Sequence, residues 1–155
     1  KQVVFVGDSR TEFMSNVLKG MPANVTENVK FVCKRGEGYK WLISTGYQEL
    51  YRLVEHDTNS ILQRKTAVIF NFGVNDLKEY KEYAAYYNLI EPVLTSKGCE
   101  LYFMSVNPIN RKMLSNAGRA NRSEAEIRRM NDYLCEKLSS AYNYIGMYSY
   151  LKSTG

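Results

Sequence analysis

Val3-Val4-Phe5-Val6-Gly7-Asp8-Ser9-Arg10-Thr11 is the stretch that decides the fold. Four apolar residues in an unbroken run suit a strand buried on both faces, and Gly7 closes it. Phe13, Met14, Val17, Leu18 and Met21 then recur at helical spacing until Gly20 and Pro22 stop the pattern. That spacing predicts a helix over about residues 10–19. The chain therefore opens on a strand that passes straight into a helix through a small polar turn.

The same alternation continues outward. A second strand is expected over Val29–Lys34. After Gly36 and Gly38 a helical stretch carries Trp41, Leu42, Leu50, Leu53 and Val54 and ends near His56-Asp57. Ala67 to Phe72 is the most strand-like run, followed by a helix marked by Tyr83, Tyr87, Ile90 and Leu94 and stopped by Gly98. Leu101 to Val106 reads as a fourth strand, and residues 107–122 as one long polar connection. Ser123 with Glu126 has the spacing of a capping box, opening a helix whose inner face is Ile127, Met130, Leu134 and Leu138. Tyr144 to Tyr148 is the expected fifth strand. Strands alternating with helices imply parallel strands and right-handed crossovers. The expectation is an α/β fold, a three-layer α/β/α sandwich on a five-stranded parallel sheet in the flavodoxin-like order 2-1-3-4-5, with residues 1–155 as one domain.

A chain of 155 residues can bury a real core without disulfide or metal staples. Its residues are 45% hydrophobic and 24% charged, the profile of an ordinary globular domain. No segment approaches the ~20 apolar residues of a membrane span. The formal charge is +5, but 16 carboxylates are interspersed with the basic residues, so nucleic acid is not indicated as a partner. Cys33, Cys99 and Cys135 are odd in number and widely spaced, and suggest neither a disulfide framework nor a zinc site. The first apolar run begins almost at once, without a charged leader or cleavage pattern. Any leader has therefore been removed or never existed; the compartment stays open, with a lean to a secreted or cell-envelope protein whose leader is removed.

In an open parallel sheet, ligands bind beyond the carboxyl ends of the strands. Those positions hold Gly7-Asp8-Ser9-Arg10-Thr11, Arg35-Gly36-Glu37-Gly38, Gly73-Val74-Asn75-Asp76 and Asn107-Pro108. Ser9 stands where a strand turns into a helix, so its hydroxyl and backbone N–H face the positive end of the helix dipole. An Asn side chain after the third strand and a Gly N–H after the second could add donors to an oxyanion. Each piece also has a structural reading: Gly-Asp-Ser as a helix N-cap, and Gly73-x-Asn75-Asp76 as an Asx turn.

Taken together, these blocks resemble the SGNH, or GDSL-like, hydrolases, from residue 3 to about residue 150. Val-Phe-Val-Gly7-Asp8-Ser9 is similar to the family's first block, and Phe72-Gly73-Val74-Asn75-Asp76 to its Gly-x-Asn-Asp block. Either Gly36 or Gly38 matches the Gly block, and Gly36 comes first after the strand. The resemblance implies a serine esterase acting through an acyl-enzyme on Ser9, with Ser9 N–H, Gly36 N–H and the Asn75 side chain as the oxyanion hole. It implies no cofactor and no metal, and a small-molecule or glycan ester as substrate, with the oligomeric state open.

Two departures from the family accompany the match. Arg10 stands where the family has Leu, and the fourth block, Asp-x-x-His, is absent. The expectation is that the natural protein continues past Gly155, that the helix after strand five is missing with that block, and that this form is inactive or nearly so. His56, the only histidine, would lie about 25 Å down its helix from the top of the sheet, at 1.5 Å per residue. It reads as a helix-end surface residue. Arg111, Lys112, Arg119, Arg122, Arg128 and Arg129 form a basic stretch that could join Arg10 in binding an anion, although a solvated surface is the simpler reading. Thirteen tyrosines invite a carbohydrate-stacking reading, but Tyr83 and Tyr87 fall on helical core spacing. The rival readings are a non-catalytic glycan-binding protein of the same shape and a flavodoxin-like phosphate- or nucleotide-binding module.

Overall fold

The expected alternation of strands and helices is present throughout a computed structural model, which describes residues 1–58, 65–110 and 123–154. The strands are β1 (Gln2–Gly7), β2 (Val29–Cys33), β3 (Thr66–Asn71), β4 (Cys99–Met104) and β5 (Tyr142–Ile145). They form one parallel sheet in the order β2-β1-β3-β4-β5. Helix α1 (Ser9–Leu18) leaves β1, and a single turn, α2 (Ala23–Thr26), precedes β2. Between β2 and β3 the chain passes through α3 (Tyr39–Trp41), a π-helical turn over Leu42–Gly46 and α4 (Tyr47–Thr58). The later helices are α5 (Tyr80–Ser96), α6 (Glu124–Lys137) and α7 (Met147–Thr154).

The strand order reverses direction once, at β1. With right-handed crossovers, α1 lies on one face of the sheet, and α4, α5 and α6 lie on the other. Burial follows this division. Val4 and Val6 of β1, Val68 and Phe70 of β3, and Leu101 and Phe103 of β4 are buried with Leu50, Val54, Tyr83, Tyr87 and Ile127 of the three helices. On the α1 face Val3, Phe5 and Ile69 are only half-buried, and Phe5 stacks on Phe31 with ring centroids 5.6 Å apart. Two of the apolar residues that mark α1 in the sequence face outward, while Met14 and Leu18 are half-buried. Phe13 is 68% exposed and Val17 49%, and Thr11 is the one fully buried residue of that helix.

Three local expectations are corrected. The fifth strand lies two residues earlier than Tyr144, because Tyr142 is the residue that enters the core, its hydroxyl donating to Tyr87 O at 2.7 Å. The segment after it is helical, so a helix does follow β5. The Ser105 hydroxyl accepts the Tyr148 N–H at 2.8 Å and so satisfies a donor of its first turn. Ser123 does occupy the N-cap position of α6, but its side chain makes no capping hydrogen bond. Residues 111–122 of the long connection lie outside the described residues.

Stability should track this division between the faces. Leu50→Ala removes a wholly buried side chain and is expected to cost about 2–5 kcal/mol. Phe13→Ser, on the open side of α1, is expected to stay within about 0.5 kcal/mol. Urea unfolding of the two variants beside the parent chain measures both.

Candidate active site

The reversal of strand order puts a crevice at the carboxyl ends of β1 and β3, the place where sheets of this kind take ligands. The loop after β1 is built first from close packing. A Cβ on Gly7 would lie 2.0 Å from Thr11 Oγ1 and 2.6 Å from the carbonyl oxygen of Asn71, so only glycine lets β1, α1 and β3 meet there. Asn71 Nδ2 donates to Thr11 Oγ1 at 3.1 Å across the same junction.

Asp8 is the N-cap of α1. Its Oδ1 accepts the Arg10 backbone N–H at 3.0 Å. The Arg10 guanidinium closes on the same carboxylate, Nε on Oδ1 at 3.0 Å and Nη2 on Oδ2 at 2.9 Å. Asp8 is completely buried and Arg10 largely so, making this a desolvated, forked ion pair rather than a surface contact. Arg10 is thus paired with Asp8 through Nε and Nη2, while its Nη1 has no partner among the described residues. Arg128 and Arg129 are exposed on α6, while Arg111, Lys112, Arg119 and Arg122 lie outside the described residues.

Ser9 is the first residue of α1 and is half-buried. Its backbone N–H is one of those a helix cannot satisfy internally. No described residue forms a hydrogen bond with its hydroxyl. His56 falls in α4, two residues before its end, on backbone leading away from this edge of the sheet.

The second and third loops are tied to each other. Asn75 Nδ2 donates to the carbonyl of Glu37 at 2.8 Å, and Asp76 Oδ2 accepts the Tyr39 N–H at 2.6 Å. Asp76 also accepts from the Tyr83 hydroxyl, at 2.9 Å on Oδ1 and 3.1 Å on Oδ2. Burial above all, then the neighbouring Tyr87 and Asp76, pushes the Tyr83 phenol far above its ordinary value, so it remains a donor. Gly38 is required by this contact, because a Cβ there would fall 2.1 Å from Asp76 Oδ2. Gly36 differs: its φ is +79°, in the left-handed region, and the space where a Cβ would stand is empty. Glycine stands at Gly36 for its backbone conformation and at Gly38 for close approach.

Sequence reading singled out Asn75 and Asp76 but missed that Asp76 is the brace, with Tyr39 N–H and Tyr83 as its partners. A Tyr seven residues beyond an Asp carries no local signal of that contact. Among the described residues no group of three or more His, Cys, Asp or Glu is placed to hold a metal ion, and no helix is long and apolar enough to cross a membrane.

No protein-family model and no curated protein matches the sequence. Solved structures do match by shape. A candidate SGNH hydrolase from Slackia heliotrinireducens superposes with a TM-score of 0.68 at 12% identity, over 99% of this chain and 83% of the other. The chain has the SGNH hydrolase fold. The acetyl xylan esterase AlAXEase is also similar, with a TM-score of 0.62 at 14% identity, over 99% of this chain and 80% of the other. In this chain Ser9, Gly36 and Asn75 follow the carboxyl ends of β1, β2 and β3 respectively.

The buried ion pair at the first loop is open to direct test. Arg10→Ala leaves the Asp8 carboxylate desolvated and without its cation, and is expected to cost about 3–5 kcal/mol. Thermal and urea unfolding near neutral pH measures the loss; a change below about 1 kcal/mol would show that Asp8 does not depend on Arg10.

Proposed function

We propose that the chain is a serine esterase that hydrolyses a carboxylic ester, of an acetylated carbohydrate or a short acyl group, through an acyl-enzyme on Ser9. The observation that carries this reading is the bond from Asn75 Nδ2 to Glu37 O, 2.8 Å, which locks the Gly-x-Asn-Asp loop onto the glycine loop beside the strand that delivers Ser9. Gly36, with open space beside it, is the better of the two glycines to receive a substrate oxygen, since Gly38 is pressed against Asp76.

The chemistry proceeds in two halves. Ser9 Oγ attacks the ester carbonyl carbon and gives up its proton to a base. The carbonyl oxygen becomes an oxyanion held by Ser9 N–H, Gly36 N–H and Asn75 Nδ2, at the positive end of α1. Collapse expels the alcohol, which takes up the proton, and water then releases the acid by the same route. Each oxyanion donor typically supplies about 2.7–4 kcal/mol in such sites. The base is the component that the described side chains do not provide, and a serine without one is a weak nucleophile. The acetyl xylan esterase among the structural relatives supports the acetylated-sugar side of the reading.

That the Ser9 hydroxyl meets no described side chain also favours a second reading, a protein of this shape that binds glycans without cleaving them. One experiment separates the two. Turnover of p-nitrophenyl acetate by the 155-residue chain is measured with and without added imidazole, after subtracting the protein-free rate. The expected result is trace activity alone, a protein-dependent increase with imidazole, and loss of that increase in Ser9→Ala. Asn75→Ala should lower kcat on the order of 10²–10³-fold, and His56→Ala should change nothing. Turnover that survives Ser9→Ala removes Ser9 as nucleophile, and no Ser9-dependent turnover under any condition leaves the binding protein.

A further inference from the structure

Helix α5 is apolar on two sides. Its inner side, Tyr83, Ala84, Tyr87, Ile90 and Leu94, is buried in the core. Outside that face runs a second stripe, Tyr86, Leu89 and Val93, at spacings of three and four residues. Leu89 is 70% exposed and Val93 40%, and the spacing puts all three on one side of the helix. Glu82 stands one turn before Tyr86 and Lys97 one turn after Val93. The stripe is thus bounded by a carboxylate at one end and an ammonium at the other. Neither enters an ion pair with a described residue. Contiguous exposed apolar stripes ordinarily mark an interaction surface.

Helix α4 holds one edge of this stripe in place. The rings of Tyr39, Tyr86, Tyr47 and Tyr51 touch in series along the seam between α4 and α5, at centroid distances of 6.2, 6.0 and 6.2 Å. Tyr86 is therefore fixed between two rings. Lys97 Nζ stands 4.6 Å from the centre of the Tyr51 ring, a contact that leaves its N–H donors for a carboxylate.

Spacing and charge together name the occupant. Apolar residues that alternate at three and four positions form the seam of a helix pair, and the partner must bring a matching stripe. The stripe of α5 is symmetric about the Leu89–Ile90 peptide, for Tyr86 and Val93 are equally far from it, and so are Glu82 and Lys97. A second α5 laid antiparallel across the first, with a two-fold axis beside Leu89, sets Tyr86 against Val93 of the other copy and Glu82 against its Lys97. The symmetry makes each contact twice. A parallel copy would bring like charges together at both ends. The stripe on α1 has no such pairing to offer, because Glu12 is already held by Arg35. We propose that the outer side of α5, from Glu82 to Lys97, joins two copies of this chain in an antiparallel two-fold dimer. Because α5 runs away from the carboxyl ends of the strands, the pairing places the two sets of site loops at opposite ends of the dimer. It does not depend on the esterase reading. One helix pair is a small interface, so the association is weak and set by concentration.

Sedimentation equilibrium of the 155-residue chain, from low to high micromolar concentration, tests the pairing. The mass is expected to rise from 17.9 kDa toward twice that value. Leu89→Lys sets two ammonium groups beside the axis and should keep the chain monomeric throughout, with an unchanged circular dichroism spectrum. Glu82→Lys should raise the dissociation constant about 10-fold by opposing like charges, and Glu82→Lys combined with Lys97→Glu should restore it. Phe13→Ser, on the other face of the sheet, should dimerise as the parent does. A parent chain that is monomeric at every concentration overturns the proposal. So does a dimer that Leu89→Lys leaves intact, that Phe13→Ser abolishes, or that the charge exchange fails to restore. Vesicles of phosphatidylglycerol and phosphatidylcholine supply the last comparison. A monomeric parent chain that sediments with them, and no longer does so as Leu89→Lys, gives the stripe to a membrane and overturns the second copy.

Discussion

The carboxylate of Asp76 is the joint between three parts of the molecule. It accepts from the backbone of the second loop at Tyr39 and from the Tyr83 hydroxyl of α5, while belonging itself to the third loop. Bonds to a carboxylate are roughly twice as strong as neutral ones, and two donors from different elements fix its orientation as well as its position. The room for it exists because residue 38 has no side chain. Replace that glycine and the carboxylate must move, taking both loops with it.

Two consequences spread from this joint. Asn75, one residue earlier, is brought to the carbonyl of Glu37, so the amide that would face an oxyanion is oriented by a second loop rather than by its own. Tyr39, one residue after Gly38, is fixed as the first ring of the aromatic line along α4 and α5. The third loop and the first ring of that line thus share one brace.

Most of the fold was legible because parallel strands covered on both faces are written as unbroken apolar runs. β1, β3 and β4 each show one. The edge strand β5 shows none, since only Tyr142 is buried while Asn143 and Tyr144 are exposed, and it was placed two residues late. The α1 stripe reads as a helix correctly, but periodicity does not reveal that Phe13 and Val17 face outward. At the site, the residue types at the strand ends were visible, but the contacts that organise them were not. Asn75 and Glu37 are 38 residues apart, and the Asp8–Arg10 pair depends on how one turn closes. Gly36 and Gly38 differ by a positive φ at one and a crowded neighbour at the other, quantities that no local pattern encodes.

The first loop shows what such organisation costs. Among the described side chains two buried polar atoms lack a partner, Arg10 Nη1 and Asn71 Oδ1, and both belong to the junction around Gly7 that delivers Ser9. Each unsatisfied group of this kind typically costs about 1–3 kcal/mol, and native proteins carry few of them. An apolar pair in place of Asp8 and Arg10 would remove part of that cost, as replacement of buried ion pairs often does. It would also remove the carboxylate that takes up the Arg10 N–H and anchors the first turn of the helix. Sequences depart from local consistency mainly where a site requires it. Two orphaned atoms and a desolvated ion pair are gathered within a residue or two of Ser9 or across the strand from it.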